Sequence, residues 1–321
     1  MNGLHDVRLP AGPQAAALAE LWTIMLWVCV LVFVLAMAAL AISIRRAASN
    51  RHEGKAPAAI DTSRVSTLQR WIGGGVAASS LLLFGLLFAS FRADRALAAL
   101  SLQGAVHIDL TAHQFWWEAR YEPHEPMLTF ATANELHVPV GQPVLMRLRS
   151  DDVIHSFWVP SLAGKKDLIP GRETTLAYRA DRAGVYRGQC AEFCGYQHAH
   201  MAIVVIAEPP DDYARWLETQ RRPAVAPSSA EERRGRDLVE QTSCAMCHAI
   251  NGTRARGQRA PDLTHLATRG SLGAGVLPNT YAARIDWVND PHRFKPGVNM
   301  PPLTAAPSDL SAISAYLGAL R

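Results

Sequence analysis

Two long uncharged stretches limit the possible folds of this chain more than any other feature. Leu21 to Ile44 runs for about 24 residues and Trp71 to Phe91 for about 21 without an ionisable acid or base. As helices they would be ~36 and ~31 Å long, against a bilayer hydrocarbon core of ~30 Å. Neither shows the polar face of a soluble amphipathic helix. Gly73, Gly74 and Gly75 would weaken a soluble helix but are tolerated in a membrane one. Two helices buried in a globular core are the competing reading, and their length and missing polar stripe count against it. The first run starts too late and runs too long for a cleaved signal peptide, and no basic cluster precedes it. Arg45, Arg46, Arg51, Lys55, Arg64 and Arg70 lie between the runs, and short basic loops stay in the cytoplasm. The expectation is a two-helix transmembrane hairpin in residues 1–98, with helices at about 21–44 and 71–91. Both termini and the soluble part would then face the periplasm of a bacterial inner membrane.

The chain has 321 residues, enough for roughly two soluble domains beside the hairpin. After residue 98 the pattern becomes alternating. Val106–Leu110, an aromatic-rich segment at 115–121, 136–140, 144–148, 174–178, 184–187 and 201–206 read as short strands with Gly and Pro between them. That pattern predicts an all-β sandwich over 99–210. Asp211 to Gln220 can form a short helix, and Pro and Ser residues follow it, so 211–229 reads as a linker. Ser229-x-x-Glu232 is a capping box opening a helix, and the third domain is placed at 230–321. The net charge of +4 does not point to nucleic acid, because much of the excess sits between the apolar runs and no basic stripe with interleaved aromatics is present.

Two residue constellations carry chemistry. The first is His155 together with Cys190-x₃-Cys194-x₃-His198-x₂-Met201. Thiolates, imidazoles and a thioether form a soft donor set that suits copper better than magnesium or calcium. A Cys190–Cys194 disulfide and a Cys₂His₂ zinc site are the alternatives. The second constellation is Cys244-Ala-Met-Cys247-His248, a Cys-x-x-Cys-His haem c attachment sequence. Its iron would take His248 on one side. Met246 lies inside the attachment loop and cannot reach the other side, so Met300 is the candidate sixth ligand. His265 and His292 are rivals. His107, His113, His124 and His137 have no partner at ligand spacing. His200, expected on a strand, would face away from Met201.

Asp152 to Leu162, Lys166 to Arg172 and Gln189 to Met201 together resemble subunit II of haem-copper cytochrome c oxidases, over roughly residues 15–210. Residues from about 230 onward resemble class I cytochromes c, with Ala260–Leu263 as the loop after the attachment helix and Asp309–Leu320 as the closing helix. The resemblance implies a cupredoxin-like sandwich followed by an all-α class I cytochrome c domain, the fusion of caa₃-type oxidases. It implies a dinuclear CuA centre bridged by the Cys190 and Cys194 sulfurs, with His155 and His198 on one copper each. Met201 and the Glu192 carbonyl would be weak axial ligands. The Glu192 carboxylate would reach a magnesium ion at the border with the catalytic subunit. There are two departures. Phe115 stands where the family offers a tryptophan for electron entry, followed by Trp116 and Trp117. The start of the second apolar run, Ser66 to Trp71, lacks the family's glutamate.

The implied function is electron transfer from one covalent haem c to CuA and on to a catalytic haem-copper subunit I, which reduces oxygen to water and translocates protons. A cytochrome bc₁ complex or a small cytochrome c would be the donor. Two other readings are an electron-entry subunit of a CuA-containing nitric-oxide reductase, and a non-catalytic copper/haem redox sensor or delivery protein. A complete ligand set plus a haem counts against delivery.

Overall fold

In the computed structural model, residues 5–52, 62–121, 125 and 127–321 are described. They divide into two units, Ala16–Ala99 and Met1–Ala15 with Leu100–Arg321. Lys55 of the basic connection and His124 lie outside the described residues.

The unit Ala16–Ala99 is helical. Helix α1 (Pro13–His52) and helix α2 (Thr62–Ala98) contain the two uncharged runs, and both are long and apolar enough to cross a membrane. Their apolar side chains are not buried within the chain: Trp27 is 66% exposed and Phe84 69%. Water would penalise such a surface, and lipid would not.

The second unit begins with a segment that lies along a β-sandwich. The Ala11 amide donates to the Ser161 carbonyl at 2.7 Å, and the Ala15 amide to Leu162. Gly12 fits there because a Cβ would stand 2.1 Å from the Arg179 carbonyl oxygen.

Among the described residues the sandwich has ten strands: β1 (Val106–His113), β2 (Trp116–Tyr121), β3 (Phe130–Ala133), β4 (Glu135–Pro139), β5 (Pro143–Ser150), β6 (His155–Trp158), β7 (Lys166–Leu168), β8 (Thr174–Arg179), β9 (Gly184–Cys190) and β10 (Ala202–Glu208). One sheet has the order β3-β2-β1-β5-β8 and the other β4-β10-β9-β6-β7. The β1–β5 and β4–β10 pairs are parallel. Alternate residues of β1 and β5 point inward, so period-two hydrophobicity becomes one buried face. Leu110, Trp117, Met146, Leu148, Phe157 and Tyr178 are almost fully buried there. Each such side chain contributes roughly 1.5–3 kcal/mol relative to exposure. His155 opens β6, and its partner in the ladder is Leu168 of β7.

Helix α3 (Pro210–Gln220) packs back on the sandwich. Its Trp216 stacks on His137 at 4.3 Å and meets Tyr121 edge-on at 5.2 Å. Four helices build the C-terminal part: α4 (Ala230–Gln241), α5 (Cys244–Cys247), α6 (Tyr281–Asn289) and α7 (Pro307–Ala319). Ser229 and Glu232 form both halves of the capping box expected from the sequence. α4 and α7 cross closely at Gly235, where a Cβ would lie 2.0 Å from the Ala312 carbonyl oxygen. Val239, Ile313, Tyr316 and Leu320 fill the core beside this crossing.

Candidate metal centre and haem attachment site

Three segments converge at one end of the sandwich. β6 supplies His155, β9 ends on Cys190, and the loop before β10 carries the remaining donors. The loop is closed at its base, where the Cys190 amide donates to the Met201 carbonyl at 2.9 Å. It is tied to β6 by the Ala191 amide on the Ser156 carbonyl, also at 2.9 Å. His155, Cys190, Cys194 and Met201 are all buried, His155 and Met201 completely.

The donor atoms form two matching halves. Cys190 Sγ lies 3.8 Å from His155 Nδ1 and 3.2 Å from the Glu192 carbonyl oxygen. Cys194 Sγ lies 3.8 Å from His198 Nδ1 and 3.9 Å from Met201 Sδ. The two sulfurs are 3.8 Å apart. That separation is far beyond a disulfide's ~2.05 Å, and both cysteines are free. The ligand atoms of His155, Cys190 and Cys194 all lie within 4.8 Å of one another. Two sulfurs, each with its own imidazole nitrogen and its own weak donor, fit a pair of soft cations better than one tetrahedral zinc. The hydrogen bond between the two sulfurs pulls the Cys190 thiol far down, and that same bond, with burial, pushes Cys194 up.

Asp152 orients His155. Its Oδ1 accepts from His155 Nε2 at 2.8 Å, and the Val153 and Gln114 amides donate to the same carboxylate at 2.7 and 2.6 Å. Burial works against the charged carboxylate, but these hydrogen bonds outweigh it and hold Asp152 below the usual range. Burial likewise works against the His155 cation, which Asp152 and Cys190 nevertheless stabilise, so its pKa rises. With Nε2–H committed to Asp152, Nδ1 faces the sulfur. A second partner of this kind is common at metal-ligating histidines. The sequence reading assigned no role to Asp152, although it stands three residues before His155. The Glu192 carboxylate is bonded to Lys165 Nζ at 3.3 Å.

His200 departs from expectation. It lies in a 3₁₀ turn (His198–His200), not a strand, and its Nδ1 meets Gln197 Oε1 at 2.9 Å. His137 pairs with Glu208, and His113 stacks on Trp116 at 4.4 Å. Trp117 is core, edge-on to His155 at 6.1 Å. Phe115 is only 6% exposed.

In the helical part, Cys244 and Cys247 are the ends of α5 and His248 follows it. Both cysteines are free and half-buried. His248 Nδ1 donates to the Pro261 carbonyl at 2.7 Å, which leaves Nε2 as the free ring nitrogen. Burial lowers its pKa, so the ring stays neutral and able to ligate. Gly257 lets the following loop press on the attachment segment, since a Cβ there would lie 2.4 Å from Cys247. Met300 packs on the same core as Cys244, Ile285 and Trp287. The two rivals are otherwise engaged: His265 Nε2 meets the Arg222 carbonyl at 3.0 Å, and His292 Nδ1 meets the Gly297 amide at 3.3 Å. Met246 is 72% exposed. Two thiols one helical turn apart, with an adjoining neutral imidazole held by a carbonyl, fit a covalently attached haem.

The fold and these donor sets define a membrane-anchored redox chain. Residues 118–208 match the cytochrome c oxidase subunit II periplasmic domain, and 232–321 match cytochrome c. Cytochrome c oxidase subunit 2 of Alkalihalophilus pseudofirmus is 37% identical over 67% of this chain and 61% of its own length. That of Bacillus subtilis is 31% identical over 68% of this chain and 63% of its own length. The crystal structure of the periplasmic domain of subunit II of cytochrome oxidase of Bradyrhizobium japonicum superimposes with a TM-score of 0.34 at 30% identity, over 36% of this chain and 93% of that one. The chain spans just over three fifths of the two curated relatives. Two stretches of the chain are thus similar, in order, to the subunit II periplasmic domain of cytochrome c oxidase and to cytochrome c, a fused caa₃-like architecture. The subunit II domain implies copper and the cytochrome c domain implies haem c.

Proposed function

We propose that this chain is the electron-entry subunit of a terminal haem-copper oxidase. Electrons from a cytochrome bc₁ complex or a small cytochrome c pass through haem c to a dinuclear CuA centre and on to a catalytic subunit that reduces oxygen to water. His155, Cys190, Cys194, His198, Met201 and the Glu192 carbonyl hold the copper pair. Cys244 and Cys247 would form the thioethers, and His248 and Met300 would hold the iron. When bound, both groups supply one-electron carriers. The chain's own residues fix geometry and exclude water. Asp152 sets the His155 tautomer, Pro261 sets that of His248, and the closed loop keeps both sulfurs buried. The Glu192 carboxylate, half-exposed beside Lys165, is the residue that reaches a magnesium ion contributed with the partner subunit. The soluble domains and both termini lie on the periplasmic side.

The observation that carries this reading is the doubled donor set, in which each sulfur has its own imidazole nitrogen at 3.8 Å. Elemental analysis and paramagnetic resonance of the complex purified from membranes test it. Two coppers and one haem c per chain, with a seven-line hyperfine pattern, are expected. One copper, or zinc in its place, overturns it.

A further inference from the structure

The haem-bearing part and the sandwich belong to one compact unit, and its interior contains a buried polar seam. Lys295 is 1% exposed. Its Nζ donates to the Phe115 carbonyl of the sandwich and to the Gly273 carbonyl of the helical part, both at 2.7 Å. Across the same seam the Glu135 carboxylate, 4% exposed, accepts from the Gly270 amide at 2.9 Å and the Ser271 amide at 3.2 Å. Gln197 Nε2 donates to the Pro296 carbonyl at 2.8 Å, and the Ala202 amide donates to the Ala274 carbonyl at 3.1 Å. Val298 packs on the sandwich core. A buried amine and a buried carboxylate are costly unless satisfied; the Glu135 carboxylate finds its partners in the other domain, and the Lys295 amine bonds one carbonyl from each domain.

The placement of these contacts matters. Lys295, Pro296 and Val298 lie in the loop that carries Met300. Gln197 precedes His198, and the Phe115 ring lies against Gly195 of the copper loop, 3.4 Å from where a Gly195 Cβ would stand. The seam therefore joins the haem's axial-ligand loop to the copper-ligand loop. The connection between the domains is pinned as well. The Ala224 amide donates to the Asn251 carbonyl, the Arg222 carbonyl meets His265, and Arg221 Nε donates to the Leu128 carbonyl of the sandwich.

We infer that Lys295 and Glu135 are positioning residues that lock the cytochrome domain onto the copper loop, so that electron transfer between the two centres occurs within a fixed docked state, not by swinging on a tether. This inference rests on the haem and copper assignments above. The copper-loop face at Phe115 and Gln197 is covered by the chain's own 270–298 segment, so a separate donor protein has no access there and electrons enter through the haem. The step moves one electron from the ferrous haem to the oxidised copper pair, with no bond made or broken.

The test uses the purified oxidase complex, with haem c reduced by a small-molecule one-electron donor and copper reduction followed optically. In the wild type the haem-to-copper rate is expected to stay unchanged when sucrose raises viscosity several-fold. The Lys295→Met/Glu135→Gln double variant is expected to slow by ~tenfold or more, as misplacement of reacting groups does. Its rate should become viscosity-dependent, while the spectra of both centres stay unaltered. A wild-type rate that falls in proportion to viscosity overturns the inference, as does a double variant that keeps the wild-type rate. Hydrogen exchange on the wild-type complex needs no variant. Protection of the Gly270, Ser271 and Ala202 amides supports a lasting dock, and rapid exchange of all three overturns it. Missing copper or haem would instead defeat the function assigned above, whereas a viscous brake on centres that are both present defeats the dock alone.

Discussion

The two redox regions are built on opposite plans. The copper loop gathers donors from distant strands, with His155 on β6 and the rest some 35 residues later, and the sandwich core that supports it consists of large, fully buried side chains. The haem attachment residues are contiguous, and their support is a helix crossing closed by a glycine. The first plan obtains precision from a pre-packed scaffold, and the second obtains chemistry from a short local motif. Damage to the copper site should therefore remain local to its chemistry, whereas damage to the haem site should act through folding.

The sharpest way to break this contrast is Cys190→Ser. It removes one of the two sulfurs proposed to hold copper while Phe157, its strand partner, and the rest of the core remain. Copper binding should be lost and flow beyond haem c stopped, with haem c still reducible. Metal analysis with stopped-flow reduction checks this, and unchanged onward flow would refute it. Gly235→Ala is the reciprocal test. Its Cβ would stand 2.0 Å from a backbone oxygen, and neither Ala312 nor the α4 backbone can yield cheaply. Overpacking costs about 1–3 kcal/mol, at the upper end here, and exceeds the helix-propensity gain of about 1 kcal/mol. In urea unfolding the haem absorption should shift, as Met300 leaves the iron, at a lower midpoint, while the copper signal persists to its original one. Loss of both signals together would mean that the domains unfold as one body.

The same contrast explains what was legible in the sequence. Uncharged runs, alternating strands and the Ser229–Glu232 box are local signals, and each element formed where its pattern lay. The donor spacing was equally legible, because soft ligands at fixed intervals have few other uses. Partners that act through space were hidden. Asp152 reads as one of several loop acids until Nε2 of His155 is seen on it. Lys295 and Glu135 look like surface charges, because sequence cannot show that 180 residues later in the chain an amine meets the Phe115 carbonyl. His200 was misplaced because the copper loop ends in a single 3₁₀ turn, too short to leave a periodic trace.

A smaller effect sharpens the copper side of the comparison. Asp152→Asn keeps the shape but offers His155 a neutral acceptor that can also flip its amide. Loss of such an outer partner costs roughly 10–100-fold in metal affinity. Copper retention under competing chelator should fall by that order, without a change in the urea midpoint of the sandwich. An equal loss of midpoint would make Asp152 a structural residue instead.

The smallest effect belongs to the seam. Burial lowers the pKa of Lys295 from the ordinary lysine value of 10.5 to about 7, only partly offset by Cys194. Below about 7 the amine is charged in both folded and unfolded chains, so the whole cost of burying the charge is present. Between about 7 and 10.5 the unfolded chain keeps a proton that the folded chain has released, so stability from this group climbs with pH, by at most ~1.4 kcal/mol per unit, and levels off above that window. The neutral amine still has two N–H groups for its two carbonyl acceptors, so the dock survives the proton's departure. Urea midpoints of the full chain should therefore rise from pH about 6 to about 9, and Lys295→Met should flatten that rise. A slope that survives the substitution would assign the proton to another group and leave Lys295 charged in the seam.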